Sequence, residues 1–208
     1  MAHTCHSEHC DHSDDGPNRG AEYTLYLQVD SHKVRCLNTN SNDEGYKVFK
    51  AWDDRFDLSF TLDSADDEQI IIFIPFTATI KLKSIAVLGV ESEAPDIVKM
   101  YANRDDVDFG SVESIDCTQE FSLLRDIPHG TIAEYPTKVA KFSSLHCLTL
   151  FFPSNFSGSE RTRISYIGLK GEFTEYNRDP VIALYEASAD LADHPMTSVT
   201  QNMNHSIH

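Results

Sequence analysis

The segment Ile70-Ile-Ile-Phe-Ile-Pro-Phe76 limits what this chain can fold into more than any other. Its β-branched residues are stiff at χ1 and suit a pleated strand better than a helix. The run is also far below the ~18 apolar residues that a membrane-spanning helix needs. As a strand, Gln69 to Ile74 is apolar on both faces, so it must be covered on both sides and belongs in the centre of a sheet. Pro75 has no N–H to give to a ladder, and we expect the strand to stop there.

Neighbouring segments carry the same period of two. Leu25, Leu27 and Val29 alternate with Thr24, Tyr26 and Gln28, which predicts a half-buried strand. Leu148, Leu150 and Phe152 alternate with Cys147 and Thr149, and Ile167, Leu169 and Phe173 leave Lys170 and Glu172 facing outward. In Ile80 to Val87 the apolar parity changes from Ile80 and Leu82 to Ile85 and Val87. One extra residue near Ser84, a β-bulge, would produce that change. Further strands are expected at Ile97 to Tyr101, Glu120 to Leu124, about Ile132 to Tyr135, and Val181 to Tyr185. Turn signals separate them at Asn38 to Gly45, Asp63 to Glu68, Asp105 to Gly110, Pro128 to Gly130 and Pro153 to Gly158. No long 3.6-residue period with caps interrupts this pattern. Many short strands joined by polar turns predict an all-β sandwich. Its core should hold Leu27, Ile72, Ile74, Leu88, Leu148, Leu150, Ile167 and Leu169.

Two ends differ in composition from this middle. Residues 1–20 are rich in His, Cys, Asp and Ser, with no large apolar side chain after Met1. Such a segment cannot offset its ordering entropy, so we expect a disordered leader without the apolar stretch of a signal peptide. Residues 196–208 read as a flexible tail, which leaves residues 21–195 as one domain. The 208 residues carry 33 Asp and Glu against 17 Lys and Arg, a net charge of −16. That balance argues against binding nucleic acid or an anionic membrane surface, both of which attract clustered cations. Most of the charge serves solubility, with a basic protein surface as the sharper possibility. Five cysteines without framework spacing fit reduced thiols in the cytosol or nucleus.

Chemistry is sparse. His3, Cys5, His6, His9, Cys10 and His12 form a dense ligand tract, but zinc needs four groups with oriented support, and no second ligand pair follows at finger spacing. Cys36, beside Val34 and Leu37, and Cys147, within a strand pattern, read as structural thiols, as does Cys117. His146 and Cys147 are adjacent strand residues pointing to opposite faces, so they cannot form a dyad. Three acidic clusters (Asp53, Asp54, Asp57; Asp63, Asp66, Asp67, Glu68; Asp105, Asp106, Asp108) read as solvated turns, and Asp106-Val-Asp108-Phe-Gly110 lacks the EF-hand plan. Trp52 is expected to plug the edge of the core, with an interface anchor as the alternative. Gly168 and Gly171 suggest close strand packing rather than a phosphate loop. His194, His205 and His208 are read as an uninvolved tail. We therefore assign no catalytic, cofactor-binding or metal-ligating residue, and expect no enzyme activity and no cofactor.

Two segments carry a resemblance. Tyr166-Ile-Gly-Leu-Lys-Gly-Glu-Phe-Thr-Glu175 and Tyr185-Glu-Ala-Ser-Ala-Asp-Leu-Ala-Asp-His-Pro195 resemble the PITH domain, a module found beside certain thioredoxin-like proteins and named for proteasome interaction. Glu22-Tyr-Thr-Leu-Tyr-Leu-Gln-Val-Asp30, Cys36-Leu-Asn38, Ile74-Pro-Phe76, Ile80-Lys-Leu-Lys83 and Phe121-Ser-Leu123 follow in matching order. The resemblance implies a jelly roll similar to galactose-binding-like domains and to the Doc domain of the anaphase-promoting complex. It also implies a monomeric protein-interaction module that associates with the regulatory particle of the 26S proteasome, here in a stand-alone form. The Trp-Cys-x-x-Cys site of the accompanying thioredoxin module is absent from this sequence. The fold's likeness to sugar-binding jelly rolls leaves carbohydrate or another small ligand as the alternative, and hydrolysis by the acidic loops as a weaker third.

Overall fold

A computed structural model describes residues 24–125 and 130–175 of the chain. Eight strands lie within them: β1 (Arg35–Leu37), β2 (Leu62–Asp63), β3 (Ile70–Gly89), β4 (Ile97–Ala102), β5 (Gln119–Ser122), β6 (Glu134–Pro136), β7 (Leu145–Phe152) and β8 (Arg163–Thr174). All pairings are antiparallel. The remaining regular structure among the described residues is short 3-10 turns.

β3 organises the rest. Its first part, from Ile70 to Pro75, pairs with β7 and, through Ile71 to Phe73, with β1. β4 and β5 extend that ladder beyond β7. Its second part, from Thr79 to Gly89, pairs with β8 and, through Ser84 to Ala86, with β6, while β2 lies outside β8. One strand thus belongs to two ladders. Ile70, Ile72 and Ile74 from its first part share one buried core with Ile85 and Val87 from its second, together with Val98, Met100, Leu148, Leu150, Phe152, Ile167 and Leu169. A strand that crosses between layers in this way is how a sandwich turns a corner.

Pro75 does not end the strand. The β7 ladder shifts register between Pro75 and Ile80, so the missing N–H falls where regular pairing with β7 gives way to pairing with β8. The Pro75 carbonyl is still used, accepting a bond of 2.9 Å from the Asp30 N–H. The parity change read from the sequence is present as a second shift, between Leu82 and Ser84 against β8. Lys83 is the extra residue, and its carbonyl accepts from the Thr137 N–H at 2.9 Å. β8 has a matching irregularity opposite Leu88 and Gly89. There Ser165 Oγ donates to the Leu88 carbonyl at 3.2 Å. Gly171 allows β8 to lie close to β3, because a Cβ at that position would stand 2.1 Å from the Lys81 carbonyl oxygen.

Several expectations need correction. The segment around Leu27 is not a strand: Tyr26–Gln28 forms a 3-10 turn. Leu25 donates its N–H to the Leu169 carbonyl at 2.8 Å and Asp30 bonds Pro75, so the segment is tied to β8 at one end and β3 at the other. With the turn between these ties, Leu25 and Val29 are buried while Leu27 is 71% exposed at the apex. Leu88 is half-buried rather than core, because it follows the parity change and pairs with Tyr166 on the outer face of β8. The strand expected at Ile132 begins at Glu134, and the one expected at Val181 to Tyr185 lies outside the described residues, as do the leader and the tail.

Both outer faces are partly covered. On the first ladder, Ile71, Tyr101 and Phe151 pack with Val107 and Val112 of the long β4–β5 connection in a second small core. On the second, Trp52 lies under the Lys170 ammonium, 3.9 Å from its ring centre, and Arg55 stacks on the same ring at 4.4 Å. Trp52 is therefore half-buried against the outside of β8 and does not plug the core.

Asp63 joins β2 to the chain beyond it. Burial opposes its ionisation, but hydrogen bonds from Arg161, Thr61 and Arg163 outweigh that and hold its carboxyl below the usual carboxylate range. The Arg163 Nε bond is 3.1 Å. A carboxyl whose folded pKa is depressed adds stability that is complete above its unfolded value and lost as pH falls through the folded one. Asp63→Asn should cost about 1–2 kcal/mol at neutral pH. That difference should shrink as pH falls below ~3.9. Urea denaturation across pH checks this, and a cost independent of pH would contradict it. The same method tests the N-terminal turn: Leu25→Ala should cost about 2–5 kcal/mol, whereas Leu27→Ser should stay within about 0.5 kcal/mol of the parent.

Candidate functional site

Two concave regions stand out. The first, a groove of about 320 Å³, is formed by the end of β3 (Val87 to Gly89), the turn that follows it, the residues after β5 (Leu123 to Arg125), and Phe56. Gly89 is required there: a Cβ would come within 2.4 Å of the Ala94 Cα, so this close return of the chain admits no side chain. The turn closes with a bond from the Glu93 N–H to the Val90 carbonyl at 3.1 Å. On the other wall, the Leu123 N–H donates to the Asp96 carbonyl at 2.7 Å and the Leu124 N–H to the Tyr135 hydroxyl at 2.8 Å. Leu124 is 62% exposed and Phe56 42% exposed. Glu91 and Arg125 supply the charges, and both are exposed.

The second region, of about 230 Å³, lies on the outside of the first ladder and is lined by Arg35, Phe73, Asp105, Asp106 and Asp108 among others. Its aromatic face is occupied, since the Arg35 guanidinium sits 4.3 Å above the Phe73 ring. Two of its three carboxylates are engaged locally. Asp106 pairs with Arg104 at 2.7 Å, and Asp108 accepts from the Ser111 N–H at 2.8 Å. Hydrogen bonding to the charged form lowers the pKa of each.

At least one carboxylate in each of the two other acidic clusters is engaged in the same way. Asp57 accepts from the Ser59 N–H and hydroxyl, and Asp67 accepts from Asn38 Nδ2 at 2.6 Å. No group of three or more His, Cys, Asp or Glu able to hold a metal ion occurs among the described residues. Cys36 is buried, and desolvation pushes its thiol up to about 12. Cys147 is half-buried, its pKa raised first by burial and then by the Asp105 charge. Neither environment favours the thiolate that nucleophilic or redox chemistry requires. Tyr166 is buried over Gly168, and its hydroxyl is likewise pushed up to about 12 by burial, with Arg55 partly offsetting. The Asn155-Phe-Ser157 sequon is structural: Asn155 is buried and its Nδ2 donates to the carbonyls of Ser159 and Arg161 and to Thr162 Oγ1.

The sequence contains the groove's residues, but nothing in it brings them together. Phe56, the turn after Gly89 and the residues after β5 are far apart along the chain. Leu124, taken as the end of an expected strand, gave no sign that it faces solvent. The clearest available signal was Gly89-Val-Glu-Ser-Glu-Ala-Pro95, a glycine and a proline bracketing a polar turn directly after an apolar strand.

In fold, the chain is similar to a family 32 CBM from Clostridium perfringens NanJ in complex with galactose, at a TM-score of 0.50 and 7% identity, covering 71% of this chain and 97% of that one. It is also similar to the CBM32-1 and CBM32-2 domains of Clostridium perfringens ZmpB in complex with GalNAc, at a TM-score of 0.50 and 10% identity, covering 73% of this chain and 36% of that one. At such low identity the likeness is one of fold, a galactose-binding-like jelly roll. In sequence, the chain is 41% identical to PITH domain-containing protein 1 of Dictyostelium discoideum over 93% of this chain and 94% of that protein. It is 46% identical to PITH domain-containing protein CG6153 of Drosophila melanogaster, covering 84% and 82%, and 40% identical to PITH domain-containing protein 1 of Homo sapiens, covering 88% and 85%. The family model described as PITH domain matches residues 15–189. With eight strands in that fold and matches of this length, the chain belongs to the PITH domain family.

Proposed function

We propose that this chain is a non-enzymatic protein-interaction module whose partner is the 26S proteasome, contacted at its regulatory particle in the cytosol or nucleus. The observation that carries the reading is the groove beside Gly89. It is lined mainly by aliphatic side chains, with Leu124 and Phe56 exposed, on a family module without a thioredoxin Cys-x-x-Cys site. Exposed apolar side chains grouped around a concavity favour protein contact. A sugar site calls for an open aromatic face with polar groups converging on it. Among the described residues Phe56 is the one aromatic side chain lining the groove, with the Arg55 guanidinium 4.6 Å from its ring centre, and the Phe73 face is covered by Arg35, so neither offers an open sugar-stacking face and protein binding is the better-supported function.

The net charge of −16 adds long-range attraction to a basic partner surface. Such steering raises the association rate at low salt and fades as the Debye length shrinks to ~8 Å at physiological ionic strength. Purified protein should therefore co-sediment with purified 26S particles, more strongly at low than at high salt. A variant ending at Pro195, run beside the full chain, reports whether residues 196–208 take part. Absence of the full chain from the particle fraction at both salt concentrations would sink the proteasome assignment.

A further inference from the structure

We infer that the groove between the turn after Gly89 and the Leu123–Arg125 segment docks an extended peptide segment of a partner protein. The segment would carry one large aliphatic or aromatic anchor with a Lys or Arg beside it. The inference rests on the interaction-module reading and says where and by what chemistry the contact is made.

Both walls are already fixed. One is held by the Val90–Glu93 turn bond and by the Val90 N–H bonded to the Arg163 carbonyl at 3.1 Å, the other by the Leu123 and Leu124 bonds to Asp96 and Tyr135. A preformed site loses little conformational freedom on binding, so more of the contact energy appears as affinity. Leu123 and Pro95 are buried and Leu88 and Ala94 half-buried, which supplies an apolar floor below the exposed Leu124 and Phe56. An anchor laid there would take exposed surface of Leu124 and Phe56 out of water.

Charge selects the neighbour of the anchor. Glu91 has φ 51°, in the left-handed region. The other two non-glycine residues found there among the described residues are asparagines, a type that tolerates it, and their amides brace the turn. Asn38 Nδ2 bonds the Gln69 carbonyl at 2.6 Å, and Asn103 Oδ1 accepts from the His146 N–H at 2.8 Å. Glu91 has no such brace: its carboxylate stands exposed at the groove with no cation paired to it among the described residues. The nearby Arg163 is taken by Asp63 and Glu93. A Lys or Arg on the incoming segment completes the pair. Arg125, also exposed at the groove, can donate to main-chain carbonyls of an extended segment.

The test is a random peptide library displayed on phage and selected on the full chain, followed by fluorescence anisotropy on synthesised winners. The enriched peptides should share a large apolar residue with a Lys or Arg within two positions. Leu124→Asp and Phe56→Ser should each weaken binding about tenfold or more. Glu91→Gln should weaken it by a few-fold and flatten its salt dependence, while Leu27→Ser, at an exposed leucine on another turn, should leave it unchanged. Amide chemical-shift perturbations in the unmutated protein should centre on Glu91 and on Leu123 to Arg125, a readout that does not depend on any variant folding. An acidic consensus, no enrichment, equal binding by a folded Leu124→Asp, or perturbations centred elsewhere would overturn the groove. Peptide binding without co-sedimentation of the chain with 26S particles would support the groove and overturn the proteasome assignment. Co-sedimentation undiminished by Leu124→Asp would do the reverse.

Discussion

The structure depends on one strand serving two ladders. β3 runs for 20 residues, several times the usual strand length of ~5–6. No flat layer of this size could hold it straight, so it pairs with β7 and β1 along its first part and with β8 and β6 along its second. The two irregularities permit this. One spans Pro75 to Ile80, where pairing moves from β7 to β8. The other inserts Lys83 and turns Ile85 and Val87 inward after Ile80 and Leu82. A shift of one residue sends every following side chain to the other face, so the second shift is what gives the end of β3 a buried side. The groove begins where β3 ends, and its position follows from the same shift.

Much of this was legible in the sequence, for a physical reason. Where a face is buried, alternation must be kept, and the change of parity in Ile80 to Val87 could only be a bulge. The same logic placed the core side chains Leu148, Leu150 and Phe152 of β7 and Ile167 and Leu169 of β8, but not Phe173, which is 48% exposed near the end of β8. It failed at Leu27, where alternation came from a turn whose two ends are tied to different strands. Local period cannot distinguish a strand from such a turn, because the deciding bonds reach Leu169 and Pro75. Pro75 misled in the opposite direction: a residue that cannot donate was taken as a stop, when it marks a change of partner. Trp52 was read as a plug of the core edge and is instead a half-buried ring held by Arg55 of its own turn and by Lys170, a cation that arrives from β8. The groove was not legible at all, since its three segments converge only when both ladders exist.

Fold and family carry different weight here. The sugar-bound neighbours share the jelly roll at 7–10% identity. Binding functions reside in sites placed on folds, so that likeness does not carry a sugar to this chain. In this chain Asp57, Asp67, Asp106 and Asp108 are answered by nearby donors or cations, Phe73 is covered by Arg35, and burial pushes the Cys36 thiol up to about 12. The groove beside Gly89 combines the exposed Leu124 and Phe56 with one carboxylate, Glu91, and one guanidinium, Arg125.

The central claim is that β3 makes both ladders one cooperative unit. Native-state amide exchange across β3, followed with increasing urea, tests it most directly. The account predicts that the slowest amides of the Ile70 to Ile74 part and those of the Ile85 to Val87 part open with the same free energy and the same urea dependence, both equal to global unfolding. One part opening at lower free energy and with a smaller urea dependence, while the other stayed protected, would show two separable ladders and contradict it.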